Sequence, residues 1–336
     1  FKRAPTTPDA YNGQSVGFQQ YDSPVPRLYS WNFTVQRQLT GALVAEISYV
    51  GSYSNNLPWL TDLNQPPEDK LGPTSAQYRP YPFQTISGST TQGESNYNSL
   101  QISATQRLRS GLTFNFNYTW SHMLSNQDSS ARGTMMGPQA YQRAHEPDMN
   151  YGSSNFDVRH AFKGYAVYAL PFGRGKAYVN QNAIADKVIG GWTLSGTLVW
   201  QSGGPFTPYM ATNNSYSLST NNRWYPNVVG NPALDNPTID GWFNVNAFAA
   251  PNPGTFGNMG RNILYGPGLF NMGMSLAKSF TIRENLTFDL SGNATNVLNH
   301  PSFAQPDMLI GPGHTAKITA TRVGPRNIEL VFKLRF

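Results

Sequence analysis

Ten consecutive residues, LTFNFNYTWS at 112–121, alternate without a break between apolar and polar side chains. Leu112, Phe114, Phe116, Tyr118 and Trp120 fall on one side; Thr113, Asn115, Asn117, Thr119 and Ser121 fall on the other. A period of two is the geometry of a strand with one apolar and one polar face. The pattern recurs. Trp31, Phe33, Val35 and Leu39 oppose Asn32, Thr34, Gln36 and Gln38, and Trp192, Leu194, Leu198 and Trp200 oppose Thr193, Ser195, Thr197 and Gln201. Leu286, Phe288, Leu290 and Ala294 oppose Thr287, Asp289, Ser291, Asn293 and Thr295. Weaker versions run through 43–53, 98–109, 159–171 and 268–279, and the last strand is 326–336. The reading is all-β and antiparallel, with nine or ten long strands.

Strand length narrows the class. Many of these runs reach 10–12 residues, whereas an ordinary strand has about 5–6. A tilted membrane-crossing strand needs about 9–11. The apolar faces begin or end in Trp or Tyr, as in the aromatic girdles of outer-membrane barrels. A soluble sandwich or lectin-like barrel also alternates. Its strands are shorter, and its wet face carries Lys and Glu more than the Asn, Gln, Ser and Thr found here. Trp31, Phe33, Phe114, Phe116, Tyr118, Trp120, Trp192, Trp200 and Phe288 are the expected lipid-facing aromatics.

The connections also alternate. Short ones fall at 40–42, 110–111, 171–191 and 280–285; long ones span 54–97, 125–158, 202–267 and 297–325. Short turns on one side and long loops on the other are the habit of an up-and-down transmembrane barrel. Residues 1–26 are expected to be irregular and 27–336 to form the barrel part, with 316–322 a candidate for a short extra strand. Loop aromatics such as Trp224, Tyr225 and Trp242 could stack on sugars, but packing the loops together is the favoured reading.

Composition excludes several chemistries. There is no cysteine, so disulfides, Cys-based zinc sites and thiol catalysis are out. Net charge is +6, yet charged residues make up only 12% of the chain and no basic cluster forms, so nucleic acid is not an expected partner. No GxSxG elbow and no base–nucleophile pair is present; the chain is read as no enzyme, with no cofactor. His145, Glu146 and Asp148 cluster in one loop, where a solvated loop is favoured over a metal site. FGRGK at 172–176 lacks the full phosphate-loop pattern and reads as a turn. Basic residues collect near the short turns, including Arg107, Arg109, Arg174, Lys176, Lys187 and Lys278.

The C-terminus, IELVFKLRF, resembles the assembly signal of bacterial outer-membrane barrels, through Ile328, Leu330, Phe332, Leu334 and the terminal Phe336. NATNVLNHPSF at 293–303 resembles the penultimate-strand signature of TonB-dependent receptors. GGWTLSGTLVWQSGGPFTP at 190–208, FDVRHAFKGYAVYALPFGRGK at 156–176 and GRNILYGPGLFNMGMSLAKSF at 260–280 resemble the Oar-like branch of that family. The resemblance implies a plugged 22-strand barrel that takes up a ligand, with outer-membrane lipid, the barrel-assembly machinery and TonB as partners. Nine strands, with no recognisable plug and no TonB-box-like start, depart from that pattern. The expectation is therefore the C-terminal part of such a barrel, incomplete by itself. TonB would engage through an N-terminal plug region missing here, and the ligand is unknown. A smaller outer-membrane barrel or a surface adhesin without energised transport is the alternative.

Overall fold

The computed structural model describes residues 7, 9–128, 142–143, 146–178, 183–218 and 224–336. Nine long strands dominate: β1 (Arg27–Gln38), β2 (Leu43–Asp62), β3 (Thr85–Arg109), β4 (Leu112–Ser125), β5 (His160–Ala169), β6 (Trp192–Gln201), β7 (Leu269–Arg283), β8 (Leu286–Thr295) and β9 (Asn327–Arg335). Each pairs antiparallel with its neighbour in the chain, so sheet order equals chain order. β1 and β9 form the two edges, and the sheet is an open one.

The short connections gather at one end of the sheet and the long ones at the other, as the alternation of lengths requires. One of the two-residue turns, Ser110–Gly111, has φ of 50° and 80° at its two central residues. That mirror-image turn matches the right-handed twist of the strands it joins, and Gly111 adopts it without a Cβ clash.

Several expectations need correction. The first long connection was expected from 54 to 97. The β2–β3 ladder instead continues to Asp62 and Ser87, past register shifts between Ser54 and Trp59. Pro58, which has no N–H for a regular ladder, lies within that irregular stretch. The segment 1–26 holds a short strand, Ser15–Gln19, parallel to Thr85–Ser89. No strand forms over 316–322; that segment makes one isolated bridge, Phe303 to Thr321. Among the described residues of the 171–191 connection there is one α-helix, α1 (Ala183–Ile189), alongside the turn at FGRGK. Among the described residues no helix is long and apolar enough to cross a membrane, so any crossing belongs to the strands.

Candidate functional site: the wall and the loop cap

Register carries one apolar surface across the whole sheet. Residues directly opposite one another in an antiparallel pair share a face. Following the pairs from edge to edge, Phe33 stands opposite Tyr49, Tyr49 opposite Leu100 and Leu100 opposite Trp120. Tyr118 stands opposite Phe162, Phe162 opposite Trp200 and Trp200 opposite Phe270. Phe280 then meets Phe288, and Phe288 meets Leu334. All nine aromatics singled out from the sequence lie on this single face: Trp31, Phe33, Phe114, Phe116, Tyr118, Trp120, Trp192, Trp200 and Phe288. Ile328, Leu330, Phe332 and Leu334 extend it to the edge strand, where they are exposed, and Phe336 follows the last paired residue. Rings stack along the surface, with Phe116 5.0 Å from Phe114 and 5.8 Å from Phe162. Gly164, opposite Phe116, leaves room for that ring: a Cβ there would come within 2.2 Å of it.

The opposite face is mostly polar and hydrogen-bonds across strands. Thr34 and Ser48 hydroxyls meet at 2.9 Å, Asn115 donates to Thr105 Oγ1 at 2.7 Å, and Ser275 donates to Asn293 at 2.7 Å. These uncharged groups suit a surface that meets water, and charge enters the same face at places such as Glu46 and the Arg335–Asp289 pair. On this face a cavity of about 260 Å³ opens between β4 and β5, lined by Asn117, Thr119, Lys163 and Asp157 among others.

The long loops form a cap with a core of its own. Phe206, Met210, Tyr225, Phe243, Ala247, Phe248, Met259, Leu264, Ile310 and Ala316 are buried together, and all come from the 202–267 and 297–325 connections. Phe243 packs on Phe206 at 5.6 Å and edge-on to Phe248 at 5.9 Å. Trp224 and Trp242 pack against this core, so these aromatics serve packing, as does the buried Tyr225. Three two-stranded pairings brace it, including Tyr209–Met210 with Leu309–Ile310.

Two clusters of charge tie cap to wall, and sequence reasoning singled out neither. Arg261 is 4% exposed at its side chain and donates to Asp128, itself 3% exposed, at 3.0 Å. It also donates to Ser125 at the end of β4, through both the carbonyl and the hydroxyl. Asp128 further accepts from Ser154 at 2.7 Å and from the Asn155 N–H at 2.6 Å. Beside it, Asn262 donates to the Ser153 carbonyl and to Asn155, and exchanges hydrogen bonds with Thr207. The second cluster centres on Asp157, whose side chain is fully buried. It accepts from the Met123 N–H at 2.8 Å and from Tyr265 at 3.4 Å, with His122 at 3.2 Å and Arg159 at 3.6 Å. Five of these residues, Asp157, Arg159, Arg261, Asn262 and Tyr265, lie in the two segments FDVRH and GRNILY already noted as motifs. The motifs were the available signal; which residues they would meet was not.

The NVLN signature also acquires a role. Asn296 and Asn299 both take positive φ, 47° and 51°. Asn296 donates to the carbonyls of His300 and Gly324, and Asn299 accepts from the Arg326 N–H just before β9. The pair folds the exit from β8 and fixes the entry to the last strand. Further out, Asp307 and His314 lie 2.5 Å apart. Burial works against ionisation of the Asp307 carboxyl, but hydrogen bonds from His314 and the Leu309 N–H outweigh it and hold its pKa below the usual value.

Of His145, Glu146 and Asp148, whose loop is read as solvated in preference to a metal site, His145 lies outside the described residues. Among the described residues no three metal-ligating side chains gather. Lys278 breaks the apolar pattern of its strand. It stands opposite Trp192 and Leu290, yet is buried, and its ammonium donates to the Lys187 carbonyl at 2.6 Å and to that of Val188 at 3.3 Å.

Over residues 2–329 the chain matches a family described as the outer membrane beta barrel domain. No curated protein matches it in sequence. Among solved structures it is similar to the outer membrane transporter YddB from Escherichia coli, at 12% identity and a TM-score of 0.46, covering 96% of this chain and 34% of that one. It is also similar to the pyoverdine outer membrane receptor FpvA from Pseudomonas aeruginosa, at 12% identity, TM-score 0.44 and coverage of 93% and 30%. The FrpB iron transporter from Neisseria meningitidis gives 13%, 0.42, 94% and 32%. The chain thus spans about a third of the length of these proteins.

Proposed function

The chain belongs to the outer membrane β-barrel domain family, and from that premise we propose that it is the C-terminal part of the barrel of a TonB-dependent receptor. It resides in the outer membrane of a Gram-negative bacterium. The observation that carries the membrane part of the reading is the one-sided register: a single apolar face continues over nine strands, with polar groups on the other. In this reading the apolar face, with Trp31, Phe33, Phe114, Phe116, Tyr118, Trp120, Trp192, Trp200 and Phe288, meets lipid. The polar face lines the lumen. The short turns face the periplasm and the cap faces outward.

The receptor part rests on the NVLN segment at 293–303 and on the ordered motifs FDVRH, GGWTLSG and GRNILYGPG. The receptor would take up a ligand from outside, and TonB would act through an N-terminal plug region. Purified TonB C-terminal domain should bind the full-length protein in detergent; a barrel or adhesin without energised transport would show no such binding, and that result would remove the transport reading. Ile328, Leu330, Phe332, Leu334 and Phe336 would be read by the barrel-assembly machinery. Deleting Phe336 should lower the yield of folded protein in the membrane while leaving an already folded barrel as heat-resistant as before. Normal insertion of that variant would remove the assembly role.

A further inference from the structure

The strongest unexplained feature of the wall is Lys278, a buried cation on the apolar face. An ammonium placed against hydrocarbon is costly unless its donors are satisfied. Here the satisfying groups are carbonyls at the C-terminal end of α1, those of Lys187 and Val188, where the helix dipole is negative. The ammonium also lies 4.7 Å from the Phe280 ring centre and 5.8 Å from that of Trp192. The Trp192 indole N–H donates to the same Val188 carbonyl at 2.9 Å. The short helix is therefore fastened by its last turn to the outer surface of the sheet, at the turn end.

What this fastening presents is mixed in a particular way. Val188, Ile189 and Tyr178 are exposed, and so are the cations Arg174, Lys176 and Lys187. Asp186 is turned inward and accepts from the Arg174 N–H at 2.7 Å, which draws the FGRGK turn against the helix. Gly173 and Gly190 approach each other so closely that a Cβ on Gly173 would lie 2.8 Å from Gly190 Cα. None of the three cations takes part in an ion pair among the described residues. Exposed apolar groups beside unpaired cations, held at the end of a lipid-facing strand, fit the boundary between acyl chains and phosphates.

We propose that α1, pinned by Lys278, forms with the 172–178 turn a docking surface for an anionic glycerophospholipid, its headgroup phosphate held by Arg174, Lys176 and Lys187. Lys278 is a positioning residue: it touches the helix, not the lipid. The proposal rests on the membrane wall and on the orientation argued above. The test uses the full-length protein in vesicles of phosphatidylethanolamine and phosphatidylglycerol at three to one, followed by detergent extraction and native mass spectrometry. Retained phosphatidylglycerol should fall about tenfold in a variant carrying Arg174→Glu, Lys176→Glu and Lys187→Glu. Lys187→Gln alone should give a smaller loss, and phosphatidylethanolamine should be unaffected in both. Lys278→Met leaves every headgroup-facing cation in place, yet should also lose phosphatidylglycerol, because the helix is released; a heat-modifiable band shift checks that the barrel is folded. Undiminished retention in the triple variant would overturn the site, and undiminished retention in Lys278→Met would overturn the pinning. Orientation is read separately. The chain has no cysteine, so Ala177→Cys can be probed in intact cells with an impermeant thiol reagent. Labelling there would overturn the periplasmic placement without bearing on lipid retention.

Discussion

The wall and the cap solve opposite problems with the same chain. The wall turns its large apolar residues outward and keeps polar groups on its other side, so it has no interior core of its own. Trp31, Phe33 and Phe332 are all exposed on it. The cap does the reverse: Phe206, Phe243 and Phe248 are buried in an ordinary hydrophobic core, built from segments without alternation. The difference teaches where each region finds its stability. Backbone ladders hold the wall, together with lipid if its apolar face meets the membrane as proposed, while the cap depends on burial from water and on a few buried charges that fix it to the wall.

That contrast can be broken from either side. The largest effect should come from Phe243→Ala. A large core ring is lost, and truncations of this kind cost about 3–5 kcal/mol. Hydrogen exchange should rise through 202–267 and 297–325 while the β-ladders stay protected; a rise spread equally over the ladders would erase the distinction. Next comes Arg261→Met, which leaves Asp128 buried without its cation, a change worth about 3 kcal/mol or more. Its signature should be proteolytic opening between the 125–158 and 202–267 loops, with the barrel still heat-modifiable. Phe116→Arg tests the wall: on a face that meets lipid, as proposed, a charge near the midplane costs roughly 2–4 kcal/mol. The same substitution at the neighbouring Asn115, on the polar face, should be nearly neutral in unfolding from vesicles. Equal costs at the two positions would defeat the one-sided wall.

The smallest effect concerns pH in the cap. The Asp307 carboxyl has a lowered pKa in the folded state, so its ionised form favours folding. That contribution is present above the ordinary carboxylate value, about 3.9, and is lost as pH falls through the lowered folded value. Proteolysis of the 297–325 loop should therefore increase at acid pH in the native chain, and that acid step should vanish in Asp307→Asn. Because the pair with His314 is partly exposed, the step should be modest. Persistence of the full step in the variant would assign it to other groups.

What the sequence disclosed follows from range. Alternation is a local property, so the nine strands, their shared faces and the parity of their connections were legible from residues such as Phe114 and Phe116 alone. The continuation of β2 past Ser54 was not, because register shifts around Leu57 and Pro58 break the period there. Of the cap core, only the packing of loop aromatics such as Tyr225 was legible; its other members, from Phe206 to Ala316, lie far apart along the chain and share no period. Arg261 and Asp128 are 133 positions apart, and nothing local to either names the other. α1 was hidden by its shortness, seven residues inside a segment that reads as a turn. Lys278 looked like one more cation near a strand end, and only the helix shows why it sits on the apolar face.

The order of the sheet has a consequence in direction. Every step from β1 to β9 is antiparallel, so the two edge strands run the same way. Joined directly, they would make a parallel seam. A closed ring with antiparallel pairing throughout therefore needs an odd number of further strands between these edges, whatever its final circumference. The sheet behaves as a segment of an arc whose ends are matched only through an intermediary running the other way.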